Sequence, residues 1–258
     1  MKLPSKEPGR ITFSEDWNFY PRNINNQQVS VRFDMSVGNL EENVKKKYPH
    51  TIEIMVPYIE TDKGGFPTPS EMERVNVIED GFSRGKYDVR LIGVLTGGCC
   101  SRFVFCSGGT EKDVEEIVRT LMGANAKIDF SYKDYINDNF GFYWALIAPS
   151  EYDDNWMNDR GVCDNIAKAG DNFTEPREID FYCYFDSTKH IQTIAEKLRT
   201  QGFREVSQKK TEDGEYMLHV TLNGIPTLPR INEITSGILD MLEGTDGYFD
   251  GWGCPIVK

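Results

Sequence analysis

The sequence predicts an α+β fold made of two tandem ferredoxin-like (βαββαβ) two-layer sandwiches, each an antiparallel sheet with helices on one face. Three observations support this prediction. The chain has 258 residues, which is more than a usual single domain. Both halves carry the same order of predicted elements, and 39% of the residues are hydrophobic, which is enough for two cores. We therefore expect domains at residues 1–150 and 151–258.

The first half opens with an alternation of apolar and polar residues over 29–37, which predicts a half-buried strand. A second strand is expected over residues 51–59. Thr68, Pro69 and Glu71 then fit the N-cap, N1 and N3 positions of a helix, so a capping box is predicted there.

The remainder of the first domain is predicted as two strands joined by a turn at Gly97-Gly98, then a helix capped by Thr110, then a strand. These elements cover residues 87–96, 102–106, 110–123 and 127–132.

The second domain repeats this order after a lead-in helix. An apolar strand, a helix, two strands with a turn at Asp213-Gly214, a helix and a last strand follow one another. The predicted elements are residues 153–169, 179–185, 191–202, 203–209, 215–223, 231–242 and a strand from about 248.

The charge of the chain limits its partners. The net charge is −12, with 18 basic and 22 acidic side chains up to residue 152 and 11 basic and 19 acidic side chains after it. An acidic surface repels phosphate backbones and attracts basic proteins, so direct nucleic-acid binding is not expected. Solubility is the alternative explanation for the same charge.

Neither a metal nor a cofactor is predicted. The six cysteines contain no C-x-x-C pair and are interpreted as structural thiols, and Cys99-Cys100 lacks a second ligand pair at zinc spacing. Residues 1–7 show no secretory signal, and no run of about 18 apolar residues is present. A cytoplasmic protein is therefore expected.

Catalysis is not predicted either. His50, His190 and His219 are not spaced as a metal pair, and no nucleophile elbow is present. An uncharacterised hydrolase at the domain cleft remains an alternative. A pocket that joins His50 or His219 to carboxylates of shifted pKa would favour it.

Residues 179–185 carry aromatic side chains on both faces of the predicted strand. Asp180, Tyr182 and Tyr184 share the face opposite the apolar one. Single-stranded RNA binding by base stacking on Tyr182 and Tyr184 is one alternative. The interpretation that we favour is that both rings pack under the other domain or under residues 153–170.

The segment 247–255 sets Tyr248 and Trp252 between glycines, an arrangement that suits a binding rim or a locked terminal strand. With residues 176–181 and Gly202-Phe203, this segment resembles the regulator of ribonuclease activity B (RraB) family. The first half resembles a DUF695-type domain of unknown function through residues 16–20, 65–67, 78–80 and 144–149.

The resemblance implies a non-catalytic protein that binds an E/G-type ribonuclease, or another basic protein, through its acidic second domain. The residues proposed to contact the partner are Tyr248, Asp250, Gly251, Trp252, Asp180, Tyr182 and Tyr184.

Overall fold

A computed structural model describes residues 16–40, 42–83 and 86–257. The chain start, for which no secretory signal is predicted, lies outside these residues. The chain divides into two compact units between Ala148 and Pro149. Each unit combines an antiparallel sheet with helices, so the mixed α+β class is confirmed. In the described part of the chain, every helix is too short or too polar to cross a lipid bilayer.

The first unit is built on a six-stranded antiparallel sheet with the strand order β1-β2-β4-β5-β3-β6. The strands are β1 (Trp17–Ile24), β2 (Gln27–Asp34), β3 (His50–Pro57), β4 (Val89–Gly97), β5 (Cys100–Ser107) and β6 (Ser131–Tyr135). The helices are α1 (Glu42–Lys45), α2 (Pro69–Asp80) and α3 (Val114–Met122), and a π-helical turn spans Tyr143–Ile147.

One face of this sheet is covered by α2 and α3, whose apolar sides share a single core with the strands. That core contains Ile52, Ile54, Val75, Ile78, Phe103, Phe105, Ile117, Val118 and Leu121.

The opposite face is covered by the π-helical turn. The Tyr20 hydroxyl donates to the carbonyl of Ile147 at 2.6 Å. On β4, a Cβ atom added to Gly93 would lie 2.7 Å from Cδ1 of Ile147, so only glycine leaves room for this side chain.

Two local predictions for the first unit are wrong. The strand predicted over residues 127–132 lies further along the chain, as β6, because 127–130 form a turn and an extended segment outside the sheet. The turn between β4 and β5 is centred on Gly98 and Cys99, both with positive φ, and Gly97 is the last residue of β4.

The predicted capping box at α2 is only half present. The Thr68 hydroxyl accepts from the Glu71 backbone N–H at 3.3 Å, as expected. The Glu71 carboxylate does not return to Thr68. It accepts from the backbone N–H of Ile59 and pairs with Arg74, because Glu71 is buried beside the end of β3.

The helix start predicted at Thr110 also differs from the structure. A reciprocal capping box does form between Thr110 and Asp113, but it starts a 3-10 turn, Glu111–Asp113, that precedes α3.

The second unit is built on a four-stranded antiparallel sheet with the order β10-β7-β9-β8. The strands are β7 (Arg177–Phe185), β8 (Arg204–Lys210), β9 (Tyr216–Gly224) and β10 (Gly247–Gly253), and the helices are α4 (Glu151–Lys168), α5 (Ile191–Thr200) and α6 (Leu228–Leu242).

The apolar residues of β7 lie in the core of the second unit, with side chains from α4, α5 and α6. A capping box between Ser150 and Asp153 begins α4, which packs beside α6 and against β10. The face of β7 that carries Asp180, Tyr182 and Tyr184 points away from this core.

Candidate binding site in the second unit

The alternation of β7 separates two environments. Ile179, Phe181, Cys183 and Phe185 are at most 1% exposed, whereas Asp180, Tyr182 and Tyr184 are half-buried on the other side. Strand pairing then brings residues of β9 and β10 next to these three. Tyr182 lies opposite His219 on β9, and Tyr184 lies opposite Tyr248 on β10.

These neighbours form two stacked ring pairs. The rings of Tyr182 and His219 have centroids 4.6 Å apart and planes 16° apart. Tyr184 and Tyr248 stack with centroids 5.7 Å apart and planes 17° apart. We call the surface formed by Tyr182, His219, Tyr184 and Tyr248 the aromatic face. Tyr248 is its most accessible member, with 44% of its surface exposed.

Each ring pair is bonded to a carboxylate. Nε2 of His219 lies 2.6 Å from Oδ1 of Asp180. The Tyr248 hydroxyl donates to both oxygens of Glu215 at 3.3 Å. Partial burial and then Glu215 raise the pKa of the Tyr248 phenol. Partial burial, with Asp180 next, raises the pKa of Tyr182. Both phenols therefore stay neutral at physiological pH, and the negative charge of the face comes from carboxylates.

Trp252 occupies a different environment from Tyr248. Its side chain points toward the helices and only 8% of its surface is exposed. The indole N–H donates to Oδ1 of Asp159 on α4 at 2.9 Å. Asp159, which is 1% exposed, also accepts from Thr235, Asn232 and Asn155 at 2.6–3.2 Å. One carboxylate thus joins α4, α6 and β10.

Burial is the largest influence on the pKa of Asp159 and raises it, while the hydrogen bonds from Thr235, Asn232, Trp252 and Asn155 act in the opposite direction. Those four donors are the compensation that a buried carboxylate needs.

A β-bulge separates Tyr248 from Trp252 on β10. Asp250 and Gly251 together lie opposite Tyr182, and Gly251 has a φ of 134°. This backbone conformation requires glycine. A Cβ atom added to Gly251 would meet no heavy atom within 4 Å, so the space beside the bulge is open.

The bulge lies beside a groove of about 560 Å³. Its walls are formed by α4 and β10, and we call it the α4/β10 groove. The lining residues are Asn155, Met157, Asn158, Asp159, Gly161, Val162, Asn165, Tyr182, Phe249, Asp250, Gly251 and Trp252.

The seven residues that the sequence predicts as contacts are thus divided between two surfaces. The structure brings Asp180, Tyr182, Tyr184 and Tyr248 together around the aromatic face. It sets Asp250, Gly251 and Trp252 along the α4/β10 groove, which Tyr182 also lines.

Sequence reasoning proposed neither Asp159 nor Glu215, nor the other α4 residues that line the groove, and it named His219 only for the hydrolase alternative. For Asp159 a signal was available, because Asn155 and Asp159 share the helix face of the buried Cys163 and Ile166. Polar residues at such positions indicate a buried hydrogen-bond network.

One cluster contains the three residue types of a serine hydrolase. Asp246 accepts from the Ser187 hydroxyl at 2.6 Å and lies 2.8 Å from Nδ1 of His190. A serine nucleophile needs the histidine between it and the carboxylate. Here the carboxylate lies in the middle, and the cluster joins the loop after β7 to the start of β10. Among the residues described, no group of His, Cys, Asp and Glu could hold a metal ion.

Comparisons with known proteins give two matches to families. The family described as regulator of ribonuclease activity B (RraB) matches residues 156–254. The family of unknown function DUF695 matches residues 15–146, about half of the chain. No curated protein matches the chain.

One solved structure, of a protein assigned as a glycine cleavage system transcriptional repressor, is 10% identical over 80% of this chain and 98% of its own. Its TM-score of 0.23 is too low to inform the fold. The second unit therefore carries an RraB-like domain, and the chain belongs to the family of unknown function DUF695.

Proposed function

We propose that this protein is a non-catalytic regulator in the cytoplasm, and that its second unit binds a basic segment of an E/G-type ribonuclease. The match of residues 156–254 to a ribonuclease regulator family supports the class of partner. The observation that carries the proposal is the attachment of a carboxylate to each stacked ring pair, Asp180 to His219 and Glu215 to Tyr248.

An aromatic ring beside a carboxylate is a site for a cation. An arginine guanidinium stacks on a tyrosine ring and donates to the carboxylate at the same time. Residues 149–258 carry 20 acidic and 11 basic side chains. This excess of negative charge would attract a basic partner toward the second unit before contact. We propose Tyr184, Tyr248 and Asp180 as contact residues and a structural role for Trp252, which is buried.

Single-stranded RNA is the alternative ligand of the aromatic face. The stacked rings favour it, since bases stack on such platforms. The carboxylates oppose it, because phosphates approaching Tyr182 or Tyr248 would meet Asp180 or Glu215. Lys209 on β8 pairs with Met217 and supplies positive charge on the side of the sheet that carries the aromatic face. Lys210 lies over the Tyr216 ring on the core side, and Arg204 pairs with Glu178.

The test is affinity capture from a cell extract at low and moderate salt, with and without nuclease treatment. The double variant Tyr184→Ser/Tyr248→Ser removes the second ring pair. Tyr132→Ser is the matched control, because Tyr132 is a strand residue of the first unit with 42% exposure against 44% for Tyr248.

We expect nuclease-resistant capture of an E/G-type ribonuclease by the wild type and the control, and its loss in the double variant. Recovery of RNA alone would favour the RNA-binding alternative, and capture that both variants retain would exclude the aromatic face as the contact.

The proposed domains are residues 1–150 and 151–258, each a variant of the ferredoxin-like fold. The strand order supports this. In β6-β3-β5-β4 and in β10-β7-β9-β8, the first strand of each βαββαβ set lies between the fourth and the third. In the first unit, β2 and β1 extend the sheet beyond β4.

A further inference from the structure

We propose that the α4/β10 groove binds an extended peptide segment through the peptide's main chain and one arginine side chain. The inference rests on the proposed function in one respect, that the second unit binds protein. It adds a second surface and the chemistry of the segment that the surface accepts.

The first observation concerns the wall formed by α4. Asn158, Gly161 and Asn165 lie on one side of the helix and all line the groove. Asn158 and Asn165 are exposed, and neither side-chain amide has a hydrogen-bond partner among the residues that the structure describes. Seven residues of helix separate the two amides by about 10 Å along the axis, the length of three residues of extended chain.

An asparagine amide offers both a donor and an acceptor, as a peptide group does. Two such amides spaced along a groove can therefore hold the N–H and C=O groups of an extended segment without reading its sequence. Gly161 lies between them, and an added Cβ there would have no heavy atom within 4 Å, so the centre of the wall is open.

The second observation concerns the opposite wall. Asp250 is exposed at the bulge, and its carboxylate has no ion-pair partner in the described part of the chain. Tyr182, which pairs with Gly251 across the strands, also lines the groove. The other carboxylate of the groove, Asp159, is occupied by its four donors, and the lining contains no lysine or arginine.

These features define the occupant. A free carboxylate on the wall of an acidic groove fits a guanidinium, which can donate two parallel hydrogen bonds to its oxygens. The acidic lining excludes a nucleic-acid backbone. The two free amides fit a ligand with repeated peptide groups, which a small cation does not offer.

The experiment selects ligands from a random nonapeptide library displayed on phage, with the full-length protein as bait. Asn158→Ala/Asn165→Ala removes the amides, Asp250→Asn removes the charge, and Gly161→Leu fills the groove. Gly237→Leu is the matched control, because Gly237 lies on α6 and an added Cβ there also has no heavy atom within 4 Å. Leucine is a better helix former than glycine, so both leucine variants should fold.

We expect wild type and Gly237→Leu to enrich peptides with arginine at a fixed position, and Gly161→Leu to enrich none of them. The most enriched peptide, synthesised and labelled, should bind about tenfold more weakly to Asp250→Asn and to the double asparagine variant. Methylation of the peptide nitrogens next to the arginine should weaken binding to a similar degree.

Several results would overturn the proposal. These are no enrichment on the wild type, an enriched motif without arginine, the same peptides on Gly161→Leu, or a labelled oligouridylate whose binding Gly161→Leu abolishes. The outcome is separable from the ribonuclease question. Peptide enrichment without ribonuclease capture would support the groove proposal and contradict the proposed function. Ribonuclease capture without peptide enrichment would support the aromatic face as the contact and contradict the groove proposal.

Discussion

The indole N–H of Trp252 donates to the buried carboxylate of Asp159 across 2.9 Å, and this bond joins the last strand to the first helix of the second unit. The residue that looks most like a contact in the sequence is thereby part of the core. The exposed ring of the same strand is Tyr248, four positions earlier and on the opposite face of the sheet.

Trp252→Phe tests this bond, since phenylalanine keeps an aromatic ring and removes the donor. We expect the free energy of unfolding of the second unit to fall by about 1–2 kcal/mol. Asp159→Ala should lower the free energy of unfolding by about 2–4 kcal/mol, because it leaves several buried hydrogen-bond donors without an acceptor. Differential scanning calorimetry measures both, with the exposed Trp144→Phe of the first unit as control. Equal melting profiles for Trp252→Phe and the control would show that the bond contributes nothing.

Gly93→Ala tests the packing of the π-helical turn on the first sheet. The added methyl would lie 2.7 Å from Cδ1 of Ile147, so we expect about 1–3 kcal/mol of destabilisation, confined to the first unit. Adding Ile147→Val, which removes Cδ1, should recover part of the loss. Calorimetry of the two single variants and the double variant measures this recovery. If the loss of stability in the double variant equals the sum of the two single losses, the contact between residues 93 and 147 is contradicted. Because these substitutions lie in the first unit, the calorimetric transition that they shift is the unfolding of that unit.

The carboxylates of the aromatic face should control how fast a basic partner associates. Asp180→Asn/Glu215→Gln is expected to lower the association rate constant for the ribonuclease and to flatten its dependence on salt. Glu212→Gln/Asp213→Asn, on the exposed hairpin next to Glu215, removes the same number of charges and is the control for a general loss of charge. Biolayer interferometry from low to moderate salt gives the rates. An association rate that responds to salt as it does in the control would argue against steering by these two carboxylates.

The Asp246 cluster should make the second unit sensitive to acid. Hydrogen bonds from Ser187 and then His190 lower the pKa of Asp246 from its ordinary value of 3.8 to about 2 in the folded protein. A carboxylate with a lowered folded-state pKa stabilises the fold above its unfolded pKa, and this contribution is lost as the pH falls through about 2. Asp246→Asn should therefore lower the melting temperature at pH 6 and converge with the wild type toward pH 2.

Melting curves between pH 2 and pH 6 check this, with the exposed hairpin variant Asp213→Asn as the reference. A difference between Asp246→Asn and wild type that stays constant over the range would exclude the carboxylate as its source.

The sequence patterns located the elements well where side-chain alternation or helix caps were strong. The alternation over 179–185 identified β7 and assigned each residue to its correct face, because the core face is uniformly apolar. The strand prediction over residues 127–132 was displaced from the observed β6. The apolar pair that suggested it, Ile128 and Phe130, precedes β6 and packs against the core from outside the sheet.

The site was predictable only in part. Asp180, Tyr182 and Tyr184 share a face by alternation alone, but their partners His219, Glu215 and Tyr248 are set by strand register, which composition does not reveal. The bulge at Asp250 could not be anticipated either. It shifts Trp252 to the core face, whereas unbroken alternation from Tyr248 would have put both aromatic side chains on one side.

That bulge also changes the free edge of the second sheet. β10 is an edge strand, and a regular edge offers its free main-chain groups to any strand from a neighbouring molecule. The kink at Asp250 and Gly251 breaks this row after three residues and puts a negative charge at the break. Both features disfavour the addition of a strand from a neighbouring molecule at this edge of the second sheet.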